Sequence, residues 1–308
     1  MKHLFIVNPC AGKFDRSHEL QARVSALMAG RDLDWEIAVT QYPGHAAECA
    51  AKAAARGGTL RVYACGGDGT LNECAAGAAG HSNAAVTHYP MGSGNDFIRM
   101  FGPGAGRFQD LPALLDGPQA PVDLIECNGR LALNICSVGL DARVGLGVPD
   151  FKRLPLVGGS LAYQLSALRC FVQGIHRSYQ VEVDGEELPE REFTLLCACN
   201  GRYYGGGFNP SRSAMPDDGE LEFIIVRAVS RLTVAALISA YAKGGAPDIP
   251  EKAIVRRGRS LRVLCEREEM VNLDGERMDA KDLSIRLSGK RVNFFFPQGT
   301  HWDPARRR

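Results

Sequence analysis

Apolar residues recur along this chain in two rhythms, and the change from one to the other falls near residue 120. Before it, short apolar runs alternate with segments of helical spacing. Residues 4–7 read as a strand, and residues 18–28 place Leu20, Val24, Leu27 and Met28 on one helical face. Residues 35–40 form a second strand, Gly44-His45-Ala46 opens an alanine-rich helix running to Arg56, and residues 60–65 form a third strand ending in glycines. Strands alternating with helices predict an α/β domain with a parallel sheet flanked by helices. Ligands of such sheets bind beyond the carboxyl ends of the strands. Four segments following strands should therefore converge: 8–13, 40–45, 66–73 and 90–96.

Residues 101–121 are rich in Gly and Pro, which marks a domain boundary. Beyond it the rhythm becomes one of short alternating strands, at 122–126, 131–136, 179–183, 193–199, 221–226, 260–265, 270–273, 283–287 and 292–296. Many short strands joined by Asp-Gly and Ser-Gly turns predict an antiparallel β-sandwich or barrel. Helical insertions are expected at 159–174 and 232–243.

Composition narrows the class without fixing it. The 308 residues exceed the usual size of one domain, 45% are hydrophobic and 23% charged, and the formal net charge is +1. Such a balance gives no global attraction for nucleic acid, and an anionic surface would have to be met locally. The ten cysteines lie mostly in apolar runs without any C-x-x-C pair. Buried, reduced thiols of a cytoplasmic protein are expected. Residues 1–9 hold too short an apolar run for a signal peptide, and no window reaches the length of a membrane span.

The chemistry is concentrated at Cys65-Gly66-Gly67-Asp68-Gly69-Thr70-Leu71-Asn72-Glu73. Glycines without a Cβ let a ligand approach the main chain, and a helix beginning near Thr70 aims free N–H groups and its positive dipole end into the loop. A carboxylate in that position is repelled by phosphates unless a cation lies between them, which a magnesium nucleotide supplies. An ordinary strand-to-helix turn capped by Asp68 or Thr70 is the alternative. No Gly-Lys-Ser/Thr follows, so this is not a Walker loop. A second Gly-rich loop, Gly92-Ser93-Gly94-Asn95-Asp96, caps the next helix or binds ligand. Asp-Gly-Glu occurs at 184–186, 218–220 and 274–276. The first reads as a surface turn, the second follows a loop with Tyr203-Tyr204 and three glycines that suits a ligand wall, and the third stays open.

In order, Asn8-Pro9-x-Ala11-Gly12, Thr40 with Gly44-His45-Ala46, Gly66 to Glu73, Gly92 to Phe97, Asn200-Gly201 with Gly205-Gly206-Gly207, Asp218-Gly219 and Asp274-Gly275-Glu276 resemble the diacylglycerol kinase catalytic family. The soluble bacterial lipid kinases are most similar. The resemblance implies a nucleotide-binding α/β domain at 1–121, a β-sandwich lipid-substrate domain at 122–296, a tail at 297–308 returning to the first domain, and an active site between the domains. ATP would be contacted by Asn8, Pro9, Cys10, Ala11, Gly12, Thr40, Gly66, Gly67, Asp68, Gly69, Thr70, Leu71, Asn72, Glu73 and Ser93, with Asn95 and Asp96 beside it. Asp68 would act through the nucleotide's Mg2+. Glu276 matches the proton acceptor with Asp274 beside it, a carboxylate being the group a phosphoryl-accepting hydroxyl needs. Asp218 matches the ligand of a second, structural Mg2+, completed by backbone carbonyls of Met215 and Glu220.

Ser93 stands where threonine is usual, and Ser211-Arg212 where Ala-Pro is common. The acceptor implied is a membrane lipid such as diacylglycerol. The apolar stretch 145–157, with Lys152-Arg153 and the helix after it, would suit docking at the periphery of a membrane, while a helix packed on the sandwich is the bland reading. A kinase for a soluble acceptor such as NAD and a non-catalytic lipid or nucleotide sensor are the competing functions. Oligomeric state carries no sequence signal, and a homodimer stays open.

Overall fold

The computed structural model describes residues 1–152 and 159–302, so Arg153, residues 154–157 and the Arg306-Arg307-Arg308 tail lie outside the described residues. Two units emerge, residues 1–124 with 289–302, and residues 125–288.

In the first unit β1 (Lys2–Val7), α1 (Ser17–Met28), β2 (Asp34–Val39), α2 (His45–Ala55), β3 (Leu60–Gly66), α3 (Asp68–Ala78) and β4 (Ala84–Pro90) alternate. The strands pair in parallel in the order β2, β1, β3, β4. Val7 lies opposite Val39 and Cys65, and Gly66 opposite Pro90, so four strand ends align. The apolar runs of β1, β3 and β4 are continuous because strands covered on both faces bury both sets of side chains, while β2 at the edge of the order stays largely exposed. Every residue of β4 is buried.

The Gly- and Pro-rich stretch belongs to the first unit and ends three residues before the chain changes unit. It forms 3-10 turns over Phe97–Gln109, broken at Gly102 with φ 54°, then α4 (Leu111–Leu115) and β5 (Gln119–Cys127). Phe97, Phe101 and Phe108 are buried. They pack with aromatic residues from the far end of the chain: Phe101 lies 4.2 Å from Trp302 and Phe97 5.1 Å from Phe294 between ring centres. The glycines and prolines shape a compact connection whose aromatic residues supply core, and the chain changes unit at residue 124. The return begins at Gly289, ahead of the expected 297.

The second unit holds β6 (Arg130–Ala132), β7 (Ile135–Gly139), α5 (Leu140–Lys152), α6 (Gly159–Gln173), β8 (Arg177–Val183), β9 (Glu186–Glu187), β10 (Glu192–Cys199), β11 (Leu221–Arg227), α7 (Arg231–Tyr241), β12 (Ala253–Gly258), β13 (Ser260–Leu273) and residues 276–288 of β14 (Glu276–Phe295). Among these strands the described pairings are antiparallel. Alternation along β10 sends Leu196 and Ala198 into one apolar cluster and Leu195, Cys197 and Cys199 into another. Cys197 and Cys199 do share a face, their sulfurs 3.5 Å apart, and all ten cysteines are free.

Several elements depart from the pattern reading. The segments 260–265 and 270–273 are one strand interrupted by a register shift between Leu264 and Glu269. β12 was hidden by its Arg256-Arg257 pair. Helix α5 was hidden by Gly145, Gly147 and Pro149, which lower helical propensity. Gly147 is there for packing, since a Cβ would lie 2.5 Å from Ser166 Oγ of α6. Ser166 itself donates to the Val144 carbonyl at 2.7 Å.

Candidate active site

The aligned strand ends of the first unit bring its glycine loops into contact. The N–H groups of Met91 and Gly92 donate to the Gly66 carbonyl at 2.8 and 3.1 Å. A Cβ on Gly92 would lie 2.5 Å from Gly67 Cα, one on Gly12 2.7 Å from the Met91 carbonyl oxygen, and one on Gly66 2.3 Å from Thr70 Oγ1. Only glycine permits these approaches, and Gly12 also holds φ 85°. Asn8 ties the first loop to the third by donating to Thr70 Oγ1 at 3.0 Å, and its side-chain Oδ1 accepts from Cys10 N at 2.9 Å. Thr40 N donates to the Val7 carbonyl at 2.9 Å, which holds the second loop beside the first.

Helix α3 begins at Asp68, two residues before the expected Thr70. That shift decides which residues of 66–73 can meet a ligand. Leu71 and Asn72 turn inward and are buried. Glu73 accepts from Gly44 N at 2.9 Å and Ala46 N at 3.1 Å, satisfying orphan amides at the start of α2. These three residues shape the site from behind. Gly67, Gly69 and the first N–H groups of α3 remain on its open side, with nothing within 4 Å of a Cβ at Gly69.

Asp68 was expected to act through a nucleotide's metal ion. Its Oδ1 accepts from Asp96 N at 2.5 Å, and the backbone of Asn95 and Phe97 lies beside the carboxylate. Burial raises its pKa above the ordinary carboxylate value, and this backbone opposes the rise. Asn95 adopts φ 50°, donates to the Gly92 carbonyl at 2.8 Å, and leaves a buried Oδ1 without a hydrogen bond. Asp96 is buried and pairs with Arg99 at 2.9 Å, while Ser93 is exposed. The sequence reading missed His88, whose Nε2 lies 3.1 Å from the Gly66 carbonyl and whose burial lowers its pKa to about 4. A neutral ring donating to that carbonyl supports the loop from below, and an apolar strand gave no sign of it.

In the second unit the three Asp-Gly-Glu sites separate. Asp184-Gly185 and Asp274-Gly275 both hold positive φ at their two residues, as tight hairpin turns require, whereas at 218–219 only Gly219 does. Asp274 does not stand free beside Glu276. Its oxygens accept from Leu133 N at 2.7 Å, Asn134 N at 2.9 Å and Ile135 N at 2.7 Å, so it anchors the chain entering β7. Glu276, the first residue of β14, is half-buried and pairs with Arg130 Nη2. Asp218 is paired as well: Arg257 Nη2 contacts its Oδ2 and lies 3.1 Å from Glu220 Oε2, while Glu220 N donates to Oδ1 at 3.2 Å.

A cavity of about 810 Å³, counting its open mouth, lies in the same unit, walled by β10, β11, α5, α6 and α7. Its lining is apolar, with Phe171, Leu195, Val226, Val234 and Ile238, except at one end. There Tyr204 Oη donates to Asp141 Oδ2 at 3.2 Å and lies 3.4 Å from Tyr241 Oη, and Asp141 Oδ1 is buried without a partner. Burial raises the Asp141 carboxyl from 3.8 to about 6. Tyr204 falls in the loop expected to form a ligand wall. Asp141 was missed because one aspartate after an apolar strand carries no motif.

Residues 2–127 match the family model of the diacylglycerol kinase catalytic domain, and over 298 residues the chain is 33% identical to a Pseudomonas aeruginosa protein described as "Probable lipid kinase YegS-like", covering 94% of this chain and 93% of that one. The chain belongs to the diacylglycerol kinase catalytic family. Residues 134–295 match the YegS C-terminal NAD kinase beta sandwich-like domain. A similarly described protein of Xanthomonas oryzae pv. oryzae is 29% identical over 302 residues, 93% of this chain and 94% of that one. A solved structure of a diacylglycerol kinase from Bacillus anthracis superposes with TM-score 0.71 at 22% identity, over 97% of this chain and 98% of that chain, which shows the shared fold. The two matched domains thus meet between residues 127 and 134, close to the change of unit at 124.

Proposed function

We propose that this protein is an ATP- and magnesium-dependent lipid kinase that transfers the γ-phosphate to a hydroxyl of a diacylglycerol-like acceptor. The observation that carries the lipid half of the reading is the apolar cavity, whose one polar end offers a buried acceptor atom on Asp141 and the Tyr204 and Tyr241 hydroxyls. A soluble, many-hydroxyl acceptor such as NAD would leave that apolar lining unmatched. Family membership and the contacting glycine loops support the kinase half.

In this reading Gly12, Gly67, Gly69, Ser93 and the first N–H groups of α3 hold the nucleotide phosphates. Bound magnesium would neutralise the charge on the transferred group. Asp68 positions the Gly92–Asp96 loop against the Gly66–Gly69 loop. Glu276 takes the proton from the acceptor hydroxyl, and Arg130 fixes its carboxylate. Asp274 holds the turn that presents Glu276.

Among the described residues no helix is long and apolar enough to cross a membrane. Access to a bilayer lipid is supported instead by α6 and α7, which wall the cavity and expose Leu161, Leu168, Val172, Leu232 and Ile238 outward. Purified protein given γ-labelled ATP, magnesium and mixed micelles of diacylglycerol should place label in the lipid phase. Absence of label from diacylglycerol and from every lipid of a total membrane extract would end the lipid-kinase reading.

A further inference from the structure

The Asp218 loop combines an expected cation site with a cation already built into the chain. β11 and β12 pair antiparallel with Glu222 opposite Arg257 and Leu221 opposite Gly258. That register brings the Arg257 guanidinium back to the loop entering β11, where it pairs with both Asp218 and Glu220. The rest of the loop is tied by side chains. Ser211 Oγ accepts from Ala214 N at 2.9 Å and from Ser213 N at 3.3 Å. The buried Glu222 accepts from Ser211 Oγ at 2.7 Å and from the Ser213 hydroxyl. Arg212 turns away to Asp248 at 2.7 Å. Serine and arginine at 211–212 thus bring a hydroxyl that ties the turn and a cation that leaves it.

We propose that the Arg257 guanidinium closes the Asp218 loop in place of a divalent cation, so that this unit neither binds nor needs magnesium there. The donor set fits a metal poorly. Magnesium sits about 2 Å from its oxygen ligands and demands near-octahedral geometry. Here one Asp218 oxygen faces a guanidinium nitrogen and the other a backbone N–H. An ion bound to the first would lie within a few ångströms of a fixed positive charge, in a half-buried setting where screening is weak. Arginine keeps its charge at every working pH, so the substitution is permanent. The inference is independent of the phosphotransfer reading, because it concerns stability without nucleotide or lipid.

The test is thermal unfolding of the full-length protein, stripped with chelator and measured with and without millimolar magnesium, for wild type, Asp218→Asn and Arg257→Ala. Wild type and Asp218→Asn should respond to magnesium alike. A rise in wild-type Tm that Asp218→Asn lacks overturns the proposal. Arg257→Ala should lose Tm and regain several degrees on adding magnesium, because removing the guanidinium frees the carboxylates for a ligand that binds only the folded state. A folded Arg257→Ala with no magnesium response shows that the guanidinium does not occupy a cation's place, and the proposal falls. If that variant does not fold, the wild-type and Asp218→Asn pair decides alone.

Discussion

The N–H of Asp96 donates to Asp68 Oδ1 at 2.5 Å, and a Cβ on Gly94 would lie 2.6 Å from Asp68 Oδ2. One carboxylate therefore fixes the second glycine loop against the first. Asp68→Asn replaces an acceptor with a group that turns an N–H2 toward backbone donors. It should cost about 1–3 kcal/mol of stability. It should also lower kcat/KM by at least about 100-fold, because a misplaced phosphate cradle loses alignment. Calorimetry and steady-state kinetics on the same preparation check both. Lost activity with an unchanged Tm would move Asp68 from positioning into the chemistry.

Glu276 and Asp274 lie two residues apart and should respond oppositely. Glu276 is 39% exposed and its partner Arg130 43%, so their ion pair adds little stability. Glu276→Gln should keep its Tm within a degree or two and lose about 100- to 10,000-fold in kcat, the range of a general base. Asp274→Asn removes a charged acceptor from three backbone N–H groups and should lower Tm markedly, with any activity loss following the fraction unfolded. Equal kinetic losses at unchanged Tm in both variants would mean that the roles are shared.

The sequence made the outline of the first unit and its loops legible because each carries a local rule: apolar runs at strand spacing, glycines at close approaches, an aspartate at a helix start. It did not show the contacts of residues whose partners are distant. The contacts of Glu73 with Gly44 N and Ala46 N reach back 29 and 27 residues, which no local rule shows. Asp274 holds the amides of Leu133, Asn134 and Ile135, about 140 residues before it, a contact that the open Asp-Gly-Glu at 274–276 did not show. The cavity was illegible for the same reason, since its lining is drawn from helices, strands and loops that meet only in the fold.

Asp141 gives the unit a pH dependence of definite sign. Its carboxyl is raised by burial from 3.8 to about 6, so the folded state holds the proton more tightly than the unfolded chain. The stability it contributes is complete below about pH 4 and is lost as pH rises through about 6, a change of about 3 kcal/mol. Asp141→Asn cannot titrate. The unfolding free energy of wild type minus that of the variant should therefore fall by most of this amount between about pH 4 and pH 7 in denaturant titrations. A difference that stays flat would mean that Asp141 is solvated in the native protein.

Filling the cavity separates acceptor binding from nucleotide chemistry. Ala167 lines it from α6 and is only half-buried, so a larger side chain there can enter the empty space without displacing backbone. Ala167→Phe should raise KM for a long-chain acceptor by about 10-fold or more, the loss of roughly 1.4 kcal/mol or more of apolar contact with the chain. KM for ATP should not move, because no glycine loop of the first unit contributes to this wall. A short-chain or soluble acceptor should be phosphorylated by the variant nearly as well as by wild type. If long- and short-chain acceptors lose equally, the cavity does not hold the acyl chain, and the lipid must be recognised elsewhere on the protein.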